Sequence, residues 1–201
     1  MALSDYKTTS WAKGYREYDK KAVNRPSWKR YSQYLTKITE NFGKKITVLD
    51  IGCGTGRFFC SLKNVETLYG LDNSETMLNE AKNPVNKHQV ENNVKDVKLI
   101  HGNLNNLNEI FNHDKQIKFD FIYSIGLLSE YGPTTEISVD FFNSLEALTK
   151  LNSVIWLSIS KDKHSIIKKL KNSSLSKCEN IKFYTITDDK ATKTILEIQR
   201  K

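Results

Sequence analysis

Short apolar runs rich in β-branched residues recur along the chain and alternate with longer amphipathic stretches. Five of these runs predict strands, at 46–51, 67–71, 97–100, 119–125 and 153–159. Between them, helical spacing of apolar residues predicts helices at 55–64, 74–82, 105–111 and 136–150. Strands that are apolar on both faces and alternate with helices are typical of a parallel sheet covered by helices on both sides. The pattern therefore predicts an α/β fold.

The last part of the chain departs from this alternation. A lysine-rich stretch at 161–172 has helical spacing, and two further apolar runs follow at 181–186 and 194–198. A short polar segment, 188–190, separates these two runs. Two closely spaced strands joined by a turn predict a terminal β-hairpin.

The segment before the first strand is helical in pattern. Apolar side chains recur at spacings of three and four at Trp28, Tyr31, Leu35 and Ile38. Upstream, Trp11, Tyr15 and Tyr18 have the same spacing, so their rings form one stripe on a helix. This stripe is either core packing or a surface that closes over a ligand. We expect one domain, 1–201, with residues 1–45 as a helical cap and residues 46–201 as the core.

Length and hydropathy limit the class of protein. A chain of 201 residues is long enough for one domain with a sizeable core. The mean hydropathy is −0.53, and no apolar run approaches the roughly 18 residues of a membrane helix. The N-terminus lacks the apolar stretch of a secretory leader. We expect a cytoplasmic protein that does not enter a membrane, as a monomer or homodimer.

Neither the net charge nor the spacing of cysteines and histidines indicates a particular partner or metal. The formal net charge is +8, but the lysines are spread along the chain, and the densest stretch, 161–182, lacks the interleaved aromatics of a base-stacking surface. A nucleic-acid partner is therefore possible but not favoured. The three cysteines and four histidines show neither paired CxxC nor HxxxH spacing, so we predict no disulfide framework and no metal.

The most informative residues are VLDIGCGTG at 48–56, a strand that ends in a glycine-rich turn. Gly52, Gly54 and Gly56 allow a tight turn and a close approach of a ligand to the backbone. The dinucleotide fingerprint GxGxxG does not fit, because the third glycine comes one residue early and Arg57 occupies its place. Asp50 beside the turn would repel a pyrophosphate but attract an ammonium group. These residues favour an amino-acid-bearing nucleoside without phosphates.

A second acidic residue supports a bound adenosine. Asp72 ends the second predicted strand, twenty residues after Gly52. A carboxylate there can accept hydrogen bonds from both ribose hydroxyls. It could instead cap the next helix, but Ser74 and Asn73 are equally good caps, which leaves Asp72 for a ligand.

Together, VLDIGCGTG, GLDNSETML, HGNL and FDFIYSIGLL resemble the ordered motifs of Rossmann-like S-adenosylmethionine-dependent methyltransferases. The resemblance implies a three-layer α-β-α sandwich with a seven-stranded sheet in the order 3-2-1-4-5-7-6, of which only strand 7 is antiparallel. It also implies that the cofactor is S-adenosylmethionine and that the product is S-adenosylhomocysteine.

The resemblance assigns roles to individual residues. Asp50, Gly52, Cys53, Gly54 and Gly56 would face the methionine end of the cofactor, and Asp72 the ribose. Asn73 and Met77 would face the adenine. The other expected cofactor contacts are Gly102, Asn103, Leu104, Ser124 and the stripe Trp11, Tyr15 and Tyr18. The third motif departs from the family's usual acidic residue, because it has Asn103, whose side-chain carbonyl can still accept a hydrogen bond from the adenine amino group.

The segment 124–131 lies where methyl acceptors bind in this family. It lacks the Asp/Asn-Pro-Pro-aromatic motif of enzymes that methylate amino groups of DNA bases. Glu130 and Tyr131 are candidates to orient or deprotonate an acceptor, although such loop residues are as often simply solvated.

We expect in-line transfer of the methyl group to an oxygen or nitrogen of a small molecule, which requires alignment and exclusion of water more than a strong base. The alternatives are an RNA- or protein-modifying methyltransferase, a non-catalytic cofactor-binding subunit and, least favoured, a nicotinamide oxidoreductase.

Overall fold

The computed structural model describes residues 8–112, 117–128, 137–159, 163–178, 180–187 and 192–200. The helices are α1 (Thr9–Ala22), α2 (Pro26–Asn41), α3 (Glu75–Ala81), α4 (Lys87–Asn93), α5 (Leu107–Asn112), α6 (Val139–Ala147) and α7 (Lys163–Lys171). The strands are β1 (Ile46–Ile51), β2 (Val65–Asp72), β3 (Val94–His101), β4 (Phe119–Leu128), β5 (Thr149–Ile159), β6 (Asn180–Thr187) and β7 (Thr192–Gln199).

The seven strands form one sheet in the order β3-β2-β1-β4-β5-β7-β6. Strands β1 to β5 run parallel, whereas β7 is antiparallel to both β5 and β6. The predicted fold class is therefore confirmed, including the terminal hairpin. The order reverses between β1 and its neighbour β4, and ligands of open α/β sheets bind in the crevice at such a point, beyond the carboxyl ends of the strands.

Helices cover both faces of the sheet. On one face, α2, α3 and α4 pack against alternate strand residues such as Val48, Leu68 and Tyr123. On the other face, α5, α6 and α7 cover residues such as Leu49 and Ile122. Burial of both strand faces explains the uninterrupted apolar runs of the sequence. In the described part of the chain, no helix is both long and apolar enough to cross a membrane.

The predicted apolar face of α2 packs on the sheet. Trp28 stacks on Phe58, with ring centroids 4.7 Å apart, and the Tyr31 ring meets Trp156 edge-on at 5.8 Å. The Tyr31 and Ser158 hydroxyls are hydrogen-bonded at 3.2 Å.

The predicted helix at 55–64 is wrong, since that segment forms turns and a short 3-10 turn, Phe59–Ser61. Its backbone bonds to α2 instead: Thr36 Oγ1 donates to the Ser61 carbonyl at 2.7 Å, and the Lys63 N–H donates to Thr39 Oγ1 at 3.0 Å. The residues from Phe58 to Leu62 are all buried. The segment therefore has no exposed face, which an amphipathic surface helix would require.

The structure also differs from the sequence predictions at the start of β5 and at helix α4. Strand β5 begins at Thr149, inside the helix predicted at 136–150, because α6 ends at Ala147. Helix α4 was not predicted at all. Among its residues only Val90 is buried, so the sequence has no apolar periodicity there from which to infer a helix.

The packing of α2 predicts the cost of shortening its most buried side chain. Leu35 is fully buried, so Leu35→Ala is expected to lower the free energy of unfolding by about 2–5 kcal/mol. Leu151 is 69% exposed, and Leu151→Ala is the matched control, expected to change it by less than about 0.5 kcal/mol. Denaturant unfolding measures both, and equal losses would contradict the assigned packing of α2.

Candidate functional site

The glycine-rich turn lies at the carboxyl end of the central strand β1. Gly52, Gly54 and Gly56 have φ values of 74°, 55° and 72°, in the left-handed region that favours glycine. The N–H groups of Gly52 and Cys53 both donate to the Leu71 carbonyl, at 2.8 and 3.0 Å, which ties the turn to β2. No atom outside the turn lies within 4 Å of where a Gly54 side chain would begin. The turn thus presents open backbone to a ligand.

Asp50, the penultimate residue of β1, carries a buried carboxyl group that is 4% exposed. Its pKa is raised to about 8, mainly by burial and in smaller part by the nearby Asp72 carboxylate. The Tyr123 hydroxyl opposes this shift but forms no hydrogen bond of ordinary geometry among the described residues. No cationic side chain in the described part of the chain pairs with Asp50. The site therefore suits a cationic ligand.

Asp72 joins the glycine-rich turn to the segment after β2. Its Oδ2 accepts a hydrogen bond from the Gly54 N–H at 2.8 Å, and its Oδ1 accepts one from the Ser74 N–H at 2.9 Å. Burial raises the pKa of Asp72. Ser74 caps α3, because its hydroxyl accepts from the Met77 N–H at 3.3 Å. Each oxygen of the Asp72 carboxylate keeps acceptor capacity for a ligand hydroxyl.

A small cleft, about 20 Å³ in volume, lies beside this carboxylate at the ends of β1, β2 and β3. Its lining residues are Ile51, Gly52, Leu71, Asp72, Asn73, Gly102, Asn103 and Leu104. A Cβ at Gly102 would lie 2.6 Å from the terminal methyl group of Ile110, so a larger residue there would have to displace that side chain. The Asn103 side-chain carbonyl accepts from the Asn105 N–H at 3.0 Å. The structure thus brings six of the residues expected from the sequence into one cleft.

The remaining expected residues lie around or outside this cleft. Met77 is 4% exposed on α3, and Cys53 is buried against Gly70, with a thiol pKa that burial raises well above its usual range. Ser124 is fully buried in the middle of β4, and its hydroxyl has no partner among the described residues. Glu130 and Tyr131 lie outside the described residues, so their roles stay predictions.

Helix α1 docks on the glycine-rich turn through a buried carboxylate that the sequence analysis missed. Asp19 is fully buried in α1. Its oxygens accept hydrogen bonds from the Thr55 hydroxyl and from Arg57 Nε, the latter at 2.6 Å, and a second guanidinium nitrogen of Arg57 lies 2.5 Å from Asp19 as an ion pair. Burial raises the pKa of Asp19, while Arg57 acts to lower it. Only the polar residues Thr55 and Arg57 in the turn would have hinted at this partner.

The aromatic stripe of α1 is continuous. The ring centroids of Trp11 and Tyr15, and of Tyr15 and Tyr18, are each 6.0 Å apart. The Arg57 guanidinium lies 5.2 Å from both tyrosine rings, within cation–π range. Arg16 donates to the Asn83 carbonyl just after α3. Helix α1 therefore bridges the turn and α3.

A larger cavity of about 860 Å³ lies elsewhere, between α2 and the strands β5, β7 and β6. Its lining includes Tyr34, Lys37 and Tyr184 and contains none of the residues expected at the cofactor site. In the parts of the chain that the structure describes, no group of three or more His, Cys, Asp or Glu residues could hold a metal ion. The absence of a metal remains a prediction.

Comparisons with known proteins agree with this geometry. A family model described as a methyltransferase domain matches residues 42–200. No curated protein sequence matches the chain significantly.

Solved structures with the same fold include methyltransferases. Magnesium protoporphyrin IX methyltransferase from Synechocystis PCC 6803, with bound S-adenosylmethionine, is 20% identical at a TM-score of 0.61, over 86% of this chain and 79% of that one. The N-methyltransferase NodS from Bradyrhizobium japonicum WM9, in complex with S-adenosylhomocysteine, has 12% sequence identity to this chain and a TM-score of 0.63. The match covers 90% of each chain. The protein aTrm5, in complex with tRNALeu, has 14% sequence identity to this chain and a TM-score of 0.55. The match covers 84% of this chain and 45% of aTrm5.

The buried Asp50 predicts a specific dependence of stability on pH. Its pKa in the fold, about 8, lies above the value of 3.8 for a free carboxyl group, so the folded state holds a proton that the unfolded state releases. The stability linked to Asp50 is therefore complete below pH 4 and is lost as the pH rises towards 8. Asp50→Asn removes this titration.

Without ligand, wild type should lose stability relative to Asp50→Asn as the pH rises from 4 to 8, by on the order of 4 kcal/mol. Thermal or denaturant unfolding at several pH values measures the difference. A constant difference across this range would show that Asp50 is ordinarily ionised in the fold.

Proposed function

Since the chain belongs to the Rossmann-like S-adenosylmethionine-dependent methyltransferases, we propose that it transfers the cofactor's methyl group to an oxygen or nitrogen of a small molecule by in-line displacement. The observation that carries this proposal is the open glycine-rich turn flanked by a buried, uncompensated carboxyl group. Such a turn favours a nucleoside cofactor that carries positive charge and lacks phosphates.

The methionine end of the cofactor lies over the turn in this proposal. Asp50 attracts the ammonium group, directly or through a water molecule, and the backbone of Gly52 to Gly54 approaches the methionine closely. The open space above Gly54 supports this placement. The side chain of Cys53 contributes packing rather than reactivity, because burial keeps its thiol protonated.

The adenosine occupies the cleft at the ends of β1, β2 and β3. Asp72 accepts hydrogen bonds from the ribose hydroxyls, for which its two oxygens keep acceptor capacity beside their backbone donors. Asn73 and Met77 border the adenine on one side, and the segment 102–104 borders it on the other. Since the Asn103 carbonyl already accepts from Asn105, its amide group is also free to donate to an adenine ring nitrogen.

The chain's own residues align the reactants and exclude water. The sulfonium of S-adenosylmethionine supplies an activated methyl group, so catalysis requires positioning more than a strong base. In this proposal helix α1, which docks beside the turn through Asp19, contributes Trp11 and Tyr15 to the reacting end of the cofactor. Ser124, buried in β4, is our candidate contact on the acceptor side of the cofactor. Glu130 and Tyr131 remain our candidates for orienting the acceptor.

Docking of α1 also favours a small acceptor. The helix is anchored to the turn by Asp19 and to the segment after α3 by Arg16, and a covered site suits a molecule that fits beneath a helix. The alternative acceptor is RNA, with which the net charge of +8 is compatible. Phosphate contacts would make RNA binding fall steeply with added salt, whereas small-molecule turnover would not.

A binding and product screen tests the proposal. Calorimetric titration should show binding of S-adenosylmethionine and S-adenosylhomocysteine but not of a nicotinamide dinucleotide. Incubation with S-adenosylmethionine and separate metabolite and RNA fractions should yield a metabolite that gains one methylene unit. A methylated RNA would select the alternative acceptor, and cofactor binding without product in metabolite, RNA or added protein fractions would indicate a non-catalytic subunit.

The role of the aromatic stripe is tested by Trp11→Ala. Loss of the ring should weaken S-adenosylmethionine binding by about tenfold or more, because burial of an aromatic side chain against a ligand contributes on the order of 1–3 kcal/mol. Lys13, exposed on the same helix, gives the control Lys13→Ala, which should bind normally. Unchanged affinity in Trp11→Ala would assign the stripe to core packing.

A further inference from the structure

The glycine-rich turn ends on a cation, Arg57, although the proposed cofactor is itself cationic. A guanidinium next to the turn would disfavour a sulfonium, since two positive charges repel one another strongly where water is excluded. The structure shows what compensates for this charge. Asp19 pairs with Arg57 through two guanidinium nitrogens, at 2.6 and 2.5 Å, and is itself fully buried.

We propose that Asp19 is a specificity-determining residue, which neutralises Arg57 and thereby allows the turn to accept the positively charged S-adenosylmethionine. This inference rests on the proposed binding of that cofactor at the turn. Asp19 does not contact the methyl group or the acceptor; it acts through Arg57 and Thr55. The pair is supplied by two distant parts of the chain, so docking of α1 and the charge of the turn are coupled.

The surroundings of the pair support an electrostatic role. The Arg57 guanidinium is held against the Tyr15 and Tyr18 rings and lies 5.8 Å from the Trp28 ring. Aromatic faces favour a cation but carry no full negative charge. Among the described residues, Asp19 is the carboxylate that pairs with Arg57, and its burial means that salt screens the interaction little.

The test compares two ligands that differ at the sulfur. S-Adenosylmethionine carries the sulfonium charge, and S-adenosylhomocysteine lacks both that charge and the methyl group. Asp19→Asn leaves Arg57 uncompensated, so the affinity for S-adenosylmethionine should fall about tenfold more than the affinity for S-adenosylhomocysteine. A role in folding alone would weaken both ligands equally. Calorimetry of the full-length protein at pH 7.5 gives both dissociation constants.

Two further variants complete the design. Asp19→Asn combined with Arg57→Gln restores the net charge, so the ratio of the two affinities should return to within about twofold of wild type. Glu17→Gln removes the same charge from an exposed site on the same helix, where Glu17 pairs with Lys20 and its side chain is 63% exposed. That variant should leave the ratio unchanged.

The possible results separate the two proposals. Equal loss of both ligands in Asp19→Asn, or a ratio that the double variant does not restore, would overturn the role of Asp19. If Asp19→Asn does not fold, Arg57→Gln alone tests the role of Asp19. The proposal requires that removal of the Arg57 charge does not weaken S-adenosylmethionine binding more than S-adenosylhomocysteine binding, and a greater loss for S-adenosylmethionine would overturn it. Failure of the wild-type protein to bind either ligand would instead contradict the proposed function.

Discussion

A carboxyl group buried at the end of the central strand is the constraint on which this site depends. Asp50 lies where water is largely excluded, and no cationic side chain among the described residues pairs with it. Ionising such a group costs free energy, so Asp50 is either protonated or paired with the positive charge of a bound ligand. A cofactor with an ammonium and a sulfonium meets that requirement, whereas a pyrophosphate does not.

The fold places this carboxyl group at the one point where the sheet order reverses between parallel strands. Strand β1 pairs with β2 on one side and β4 on the other, so the chain leaves β1 into an open crevice. The left-handed glycines keep the backbone turn narrow, and Asp72 fastens that turn to β2 through Gly54. Helix α1 then docks on the turn through the ion pair of Asp19 and Arg57. The same few residues therefore shape the cleft and set its charge.

The sequence predicted the parts of the structure that depend on local pattern. All seven strands follow from apolar runs, and Ser74 caps α3 as its position suggested. The sequence did not predict the structure where contacts between distant segments determine it. The threonines of α2 bind the backbone after the turn in place of a helix at 55–64, and Asp19 pairs with Arg57 across 38 positions of the chain. Periodicity carries no signal for such partners, so the coupling of α1 to the turn emerged only in three dimensions.

A crystal structure of the protein with S-adenosylhomocysteine tests the central claim most directly. The account places the ribose hydroxyls within hydrogen-bonding distance of the Asp72 carboxylate and the amino group of the ligand on the Asp50 side of the turn. Ligand density in the larger cavity beside Tyr34 and Tyr184, with the turn free of ligand, would contradict it.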